Sequence, residues 1–230
     1  MSQAPIKVGT ILYDENYKKI FPVAEGYKRI EVMMKSTTWG ELVPYVLSDN
    51  NGNIMENIWQ FSKIYEVVPK TTQRYSRFNN TVIWDYPQET HVINGEITEE
   101  YWVWRQRGFT NPYPVGYSKK NRASCLYSIT DNGQKCDYIE ARKQIYLPTY
   151  TRIVKKQDRF QKLKTMLNKG IKLLIVEVDG PKQNSLQYYK DTYNVDDNFI
   201  VNNTIDVTRE NMNIMINDPK HAFGHGYGFA

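Results

Sequence analysis

Between Ile54 and Tyr65 the apolar residues Ile54, Ile58, Phe61 and Tyr65 recur at i, i+4, i+7 and i+11, the period of an α-helix. The opposite face of that helix carries Glu56, Trp59, Gln60 and Lys63, so an acid, an indole, an amide and an amine share one side. Other stretches follow different rhythms. "KVGTILY" (Lys7–Tyr13), "RIEVMMK" (Arg29–Lys35), "TVIWDY" (Thr81–Tyr86), "THVING" (Thr90–Gly95) and "YWVWRQR" (Tyr101–Arg107) read as strands. "GFTNPYPVGY" (Gly108–Tyr117) reads as a loop because of its prolines and glycines.

Later segments carry clearer punctuation. "DYIEARKQIY" (Asp137–Tyr146) is a helix capped by Asp137, with Pro148 ending or kinking it. "DRFQKLKTMLNKG" (Asp158–Gly170) has an acidic start, apolar Phe160, Leu163 and Leu167, and a terminal glycine. "IKLLIVEVDGP" (Ile171–Pro181) is a buried strand closed by a Gly-Pro turn. "DVTRENMNIMINDP" is a short helix capped by Asp206 or Thr208 and stopped by Pro219. These elements predict one α+β domain over 1–230, helices around a small mixed sheet, with a strand-rich elaboration at about 67–127.

Composition narrows the class. With 24% charged and 40% hydrophobic residues the chain is globular, not disordered. "LLIVEV" is too short to span a bilayer, and the first residues lack the charged and apolar regions of a secretory signal, so a cytoplasmic protein without membrane contact is expected. Cys125 and Cys136 flank "LYSITDNGQK". A two-residue Asn132-Gly133 loop would set Cys136 opposite Ile129, which argues against a disulfide. The net charge of +5 attracts phosphates and nucleic acid alike. Eighteen tyrosines and five tryptophans suit either a core or a base-stacking platform, and composition does not choose.

A face bearing Glu56, Gln60 and Lys63 is, on an ordinary helix, a solvated one. Trp59 changes that, since a large aromatic on a polar face suits a cleft where it stacks on a base or sugar. In chain order, "WGELVPY" (Trp39–Tyr45), the turn "SDNNGNI" (Ser48–Ile54) and "ENIWQFSK" (Glu56–Lys63) resemble the signature of the NADAR family, named for its association with NAD and ADP-ribose metabolism. The family's helix reads Glu-His-x-aromatic-Gln-x-x-Lys. "RFQKLKTMLNKGIKLLIVEV" (Arg159–Val178) is similar to its second block. Val43-Pro44 stands where the family has Ser-Asn, Asn57 replaces the usual histidine, and the family's later Trp-Gly pair has no clean match. About Val67 to Tyr127 there is no counterpart, so the resemblance covers roughly half the chain.

The resemblance implies a NADAR-like fold and hydrolysis of an N-glycosidic bond in an ADP-ribosyl or ribosyl-phosphate adduct of a base, with no cofactor and no metal. Glu56 would stabilise positive charge at C1 or activate water. Lys63 would attack C1 and form a Schiff base with the opened ribose, or else hold a phosphate. Trp59 would stack on base or ribose, and Gln60 would bind a hydroxyl or orient Glu56. Trp39 and Glu41 would support the site, as would Glu177 and Asp179, which alternate on one strand and so point to one face.

"FGHGYGF" (Phe223–Phe229) is a distant counterpart of the family's glycine-rich end. Gly224, His225 and Gly226 would let the backbone approach a phosphate. His221 and His225 have i,i+4 spacing, but Gly224 between them and the lack of a third, acidic ligand argue against zinc. Basic clusters at Tyr117–Arg122 and Arg152–Arg159 leave two alternatives: a nucleic-acid binder, with nucleic acid also conceivable as carrier of the adduct, and an inactive ADP-ribose-binding module.

Overall fold

The structure is a computed structural model that describes residues 4–34, 36–76, 79–115 and 125–230. Its fold is α+β, with helices interspersed among several small sheets. Packing divides the chain into two compact units, residues 1–43 with 154–230 and residues 44–153. The strand-rich stretch 67–127 lies inside the second of these.

The first unit is built on a four-stranded sheet, ordered Thr204–Asp206, Ile6–Thr10, Lys172–Glu177, Tyr27–Glu31. The last three strands run parallel, and only Thr204–Asp206 is antiparallel to its neighbour. Ile175 stands opposite Val8 on one side and Ile30 on the other. Leu173 to Glu177 are all buried, as an inner parallel strand covered on both faces requires. The helix Asp158–Asn168 feeds this strand through a turn in which Gly170 adopts φ +78°. Gly170 N–H donates to Leu167 O and Ile171 N–H to Met166 O, the paired bonds of a Schellman C-terminus. The helix Arg209–Asn217 starts at Thr208, whose hydroxyl accepts from Asn211 N–H.

The second unit is held by aromatic packing. Phe61, Trp84 and Trp104 pack ring on ring at centroid distances of 4.5 to 6.4 Å, with Ile64, Tyr65, Val68, Tyr101, Val115 and Ile129 around them. Three of the five tryptophans, Trp39, Trp84 and Trp104, are therefore core residues of their units. Gly108 lies against Phe61 so closely that a Cβ there would overlap the ring.

Several expectations are corrected here. The helix predicted over Ile54–Tyr65 ends at Phe61, and Lys63–Tyr65 is a strand paired with Cys125–Ile129. Pairing of the β-prone Ile64 and Tyr65 outweighs continuation of the helical period. "YWVWRQR" is not a strand but part of the helix Glu99–Phe109. Thr98 caps it by accepting from Tyr101 N–H, and Glu99 and Glu100 occupy its first turn. The helix that Asp137 and Glu140 open with a capping box continues past Pro148, through a π-helical turn at Arg142–Tyr146. Widening the turn before Pro148 accommodates a residue with no N–H to donate. The hairpin after Ile129 has three loop residues, with Gly133 at φ +85°, so Cys136 pairs with Ser128 and not with Ile129. Among the described residues no helix is long and apolar enough to cross a membrane.

Candidate functional site

The helix Met55–Phe61 is positioned by the segment before it. Asp49 Oδ1 accepts from Asn51 N–H and Asn53 N–H, both at 2.9 Å, folding "SDNNGNI" into a turn with Gly52 at φ +82°. Its first donors then find main-chain partners, Met55 N–H on Leu47 O and Glu56 N–H on Pro44 O. At the other end Ser62 Oγ donates to Trp59 O and the chain turns into the strand that begins with Lys63.

This turn keeps the polar side chains together although the helix is shorter than its pattern suggests. Gln60 Nε2 donates to Glu56 Oε1 at 2.6 Å, and Lys63 Nζ donates to Gln60 Oε1 at 2.9 Å. The ammonium also lies over Trp59, 4.8 Å from its centroid. Glu56 is 6% exposed and Lys63 8%, so the polar stripe is an interior one. Trp59 is half-buried. It meets Tyr146 edge-on at 5.3 Å, lies 6.5 Å from Tyr138, and packs against Cys136, Ala141 and Ile145. Arg142, fully buried in the π-helical turn, stacks on the other partner ring, Tyr138, at 4.3 Å.

Chemically the group offers a carboxylate and an ammonium held at fixed separation by one amide, beside an aromatic wall. An amide can bridge them because it both donates and accepts. Both cysteine thiols are held in the protonated form by their surroundings. Burial pushes the Cys125 thiol up, against the pull of the nearby Lys63 charge, and burial pushes the Cys136 thiol up with help from Glu140 and Asp137.

Asn57 has a role the sequence did not disclose. It is fully buried, and its amide donates to Asn111 O at 3.1 Å and to Tyr113 O at 2.9 Å while accepting from Val115 N–H at 2.8 Å. Pro112 and Pro114 have no N–H to offer within that loop, so Asn57 supplies partners that the loop itself lacks. Asn111 completes the turn by accepting from Tyr113 N–H.

In the first unit the expected residues fall into separate settings. Trp39 is buried, and Glu41 is ion-paired with Arg159 at 3.4 Å. Glu177 and Asp179 do not share a strand face: the strand ends at Glu177, which is buried, whereas Asp179 is exposed. The Glu177 carboxylate bends back to accept from Val178, Asp179 and Gly226 N–H, and His225 Nδ1 lies 3.1 Å from it. His225 Nε2 is 2.8 Å from Val32 O. Space beside Gly224 and Gly226 is filled by the Glu177 side chain, so these glycines let the short helix His225–Phe229 close on the strand end.

Asp218, to which the sequence assigned no role, is a second buried hub. It accepts from Tyr188 OH, Tyr189 OH, the backbone N–H of Lys220 and His221, and His221 Nδ1. Burial alone would raise its carboxyl, but these hydrogen bonds outweigh burial and hold it below the ordinary range. His221 and His225 thus each meet a carboxylate of their own, Asp218 and Glu177. Groups of three metal-ligating side chains are absent among the described residues. The basic cluster Tyr117–Arg122 lies outside the described residues.

No family model, curated protein or solved structure matches this chain.

Proposed function

We propose that the protein is an N-glycosidase of NADAR type, acting on an ADP-ribosyl or ribosyl-phosphate adduct of a base, with Glu56 and Lys63 as its reacting groups. The observation that carries this reading is the Glu56–Gln60–Lys63 chain: acid and amine, both interior, held by one amide beside Trp59. Cleavage of a ribosyl–base bond develops positive charge at C1, which a neighbouring carboxylate stabilises.

In the direct route Glu56 takes a proton from water. The water oxygen bonds to C1, the C1–N bond breaks, and its electron pair leaves with the base, which takes up the proton from Glu56. In the covalent route Lys63 gives a proton to Glu56 and its freed amine bonds to C1, while the C1–N bond breaks and the base leaves with that electron pair and the proton from Glu56. The sugar ring then opens to a Schiff base, which water hydrolyses to free sugar and amine. Gln60 fixes both groups in either case, and Trp59 provides a flat surface for base or ribose.

The test is incubation with ADP-ribosylated bases, NAD and ribosyl phosphates, followed by mass spectrometry for released base or sugar. Glu56→Ala and Lys63→Ala are expected to fold yet to lower product release by at least about 10²-fold, a usual loss for an acid–base group. Borohydride added during turnover separates the routes, since only the covalent one leaves a sugar on Lys63. Unchanged turnover in both variants refutes the assignment. ADP-ribose binding without product marks the chain as an inactive binding module.

A further inference from the structure

Charge in this chain is concentrated in one place. Residues 154–172 contain seven lysines and arginines against the single Asp158, a net of +6, whereas the whole chain carries +5 and everything else therefore sums to −1. The segment comprises the helix Asp158–Asn168 and its flanks. Leu163 and Met166 point that helix inward, and Lys162 and Lys164 are exposed on it, with Lys155 exposed before it and Lys169 after it. Lys162 and Lys169 are seven residues apart, so they lie on one line about 10 Å long that begins at the exposed Asp158, while Lys164 stands at the other edge of the exposed side. Gln161 Nε2 donates to Lys155 O, fixing the Lys155 end of the stripe to the helix start.

We propose that the exposed side of this helix, from Lys155 to Lys169, docks the phosphodiester backbone of nucleic acid. Positive side chains within about a Debye length of one another act as a patch toward a polyanion. Gln161, Thr165 and Asn168, exposed between the lysines, add hydrogen-bonding groups of the kind that contact phosphate oxygens. A lipid surface fits less well: every fully exposed residue of the helix is polar or charged, and its Phe160 and Leu167 are only partly exposed, with Phe160 packed against Phe229. The proposal does not depend on the glycosidase reading, because it concerns binding alone and none of the Glu56 group.

Fluorescence anisotropy with a labelled 20-nucleotide single strand, and with its duplex, tests this on the full chain. Three to four phosphate contacts predict a loss of roughly 10²-fold in affinity between 50 and 200 mM salt. Lys162→Glu/Lys164→Glu/Lys169→Glu should weaken binding at least about 30-fold and flatten the salt dependence, with circular dichroism unchanged. The matching Gln triple serves if charge reversal perturbs folding. A control of equal charge, Lys18→Glu/Lys28→Glu/Lys70→Glu, also changes exposed lysines but off the stripe, and should shift affinity less than about threefold. No binding at 50 mM salt, equal losses in both triples, or binding to phosphatidylserine vesicles but not to nucleic acid overturns the proposal.

Discussion

Replacing Asn57 by alanine isolates the loop clamp from the chemistry beside it. The change deletes three hydrogen bonds and leaves Asn111 O, Tyr113 O and Val115 N–H without the partner they now use. Two of those bonds are fully buried and the one to Tyr113 O is partly so, so water can replace only part of what is lost. An orphaned buried backbone group costs about 1–3 kcal/mol. With one group partly rehydrated, the sum is about 3 kcal/mol, or roughly 6–12 °C in melting temperature for a chain of this size. Asn57→Asp tests the direction of the bonds. It can still accept from Val115 N–H, but it turns a second oxygen toward two carbonyls, so it should be no better than alanine.

The assay is urea unfolding combined with amide exchange at Val115, whose N–H has Asn57 Oδ1 as acceptor. Exchange at Val115 should accelerate in both variants by more than global destabilisation explains, because the loop opens before the aromatic core does. A stability loss under about 1 kcal/mol, with Val115 exchange unchanged, refutes the clamp.

Two other perturbations probe the frame. Asp218→Asn removes the charge on which two phenols, an imidazole and two main-chain donors converge, and should cost about 3–5 kcal/mol by urea unfolding. Because the folded carboxyl is held below its unfolded value, its contribution is complete above about pH 4 and is lost as pH falls through the lowered folded value. The wild-type protein should therefore lose stability more steeply below about pH 4 than Asp218→Asn does. Gly108→Ala drives a methyl group into the Phe61 ring within a packed core and should cost about 1–3 kcal/mol, measured the same way. Phe61→Leu in the same chain should make the alanine less costly, and strict additivity of the two changes would contradict the overlap.

What the sequence disclosed depended on how local each feature's cause is. Asp137, Thr208 and Gly170 were legible because caps act within four residues, and the structure adds Glu140 as the capping-box partner of Asp137. Tyr101–Arg107 reads as a strand because Tyr101, Trp102, Val103 and Trp104 are all β-prone, while the signal that decides, Thr98 followed by two glutamates, lies just outside the segment. Asn57 was opaque as a clamp, since its partners lie 54 to 58 residues away and no local pattern encodes them. Asp218 could have been noticed, because an aspartate that ends a helix two residues before Lys220 and three before His221 has donors within reach. Glu177 and Asp179 failed for a geometric reason: the rule of two applies only while the chain stays extended, and the strand stops at Glu177.

The Glu56 group shows the remaining kind of inference, in which the residues were found but their surroundings were not. Helical spacing united Glu56, Trp59, Gln60 and Lys63, and they do meet, although Lys63 reaches the others from a strand. The two settings converge because one tight turn at Ser62 leaves Lys63 within a side chain's length of Gln60. Periodicity reports which side chains share a side, but not whether that side faces water. The interior position matters energetically. Burying an acid and an amine costs several kcal/mol per ion before their attraction and hydrogen bonds offset it, and apolar replacements of similar size are often as stable or more so. Core stability alone therefore gives little reason for this position to hold Glu56, Gln60 and Lys63 in place of leucine and methionine, whereas chemistry on a ligand needs both charges fixed before the ligand arrives.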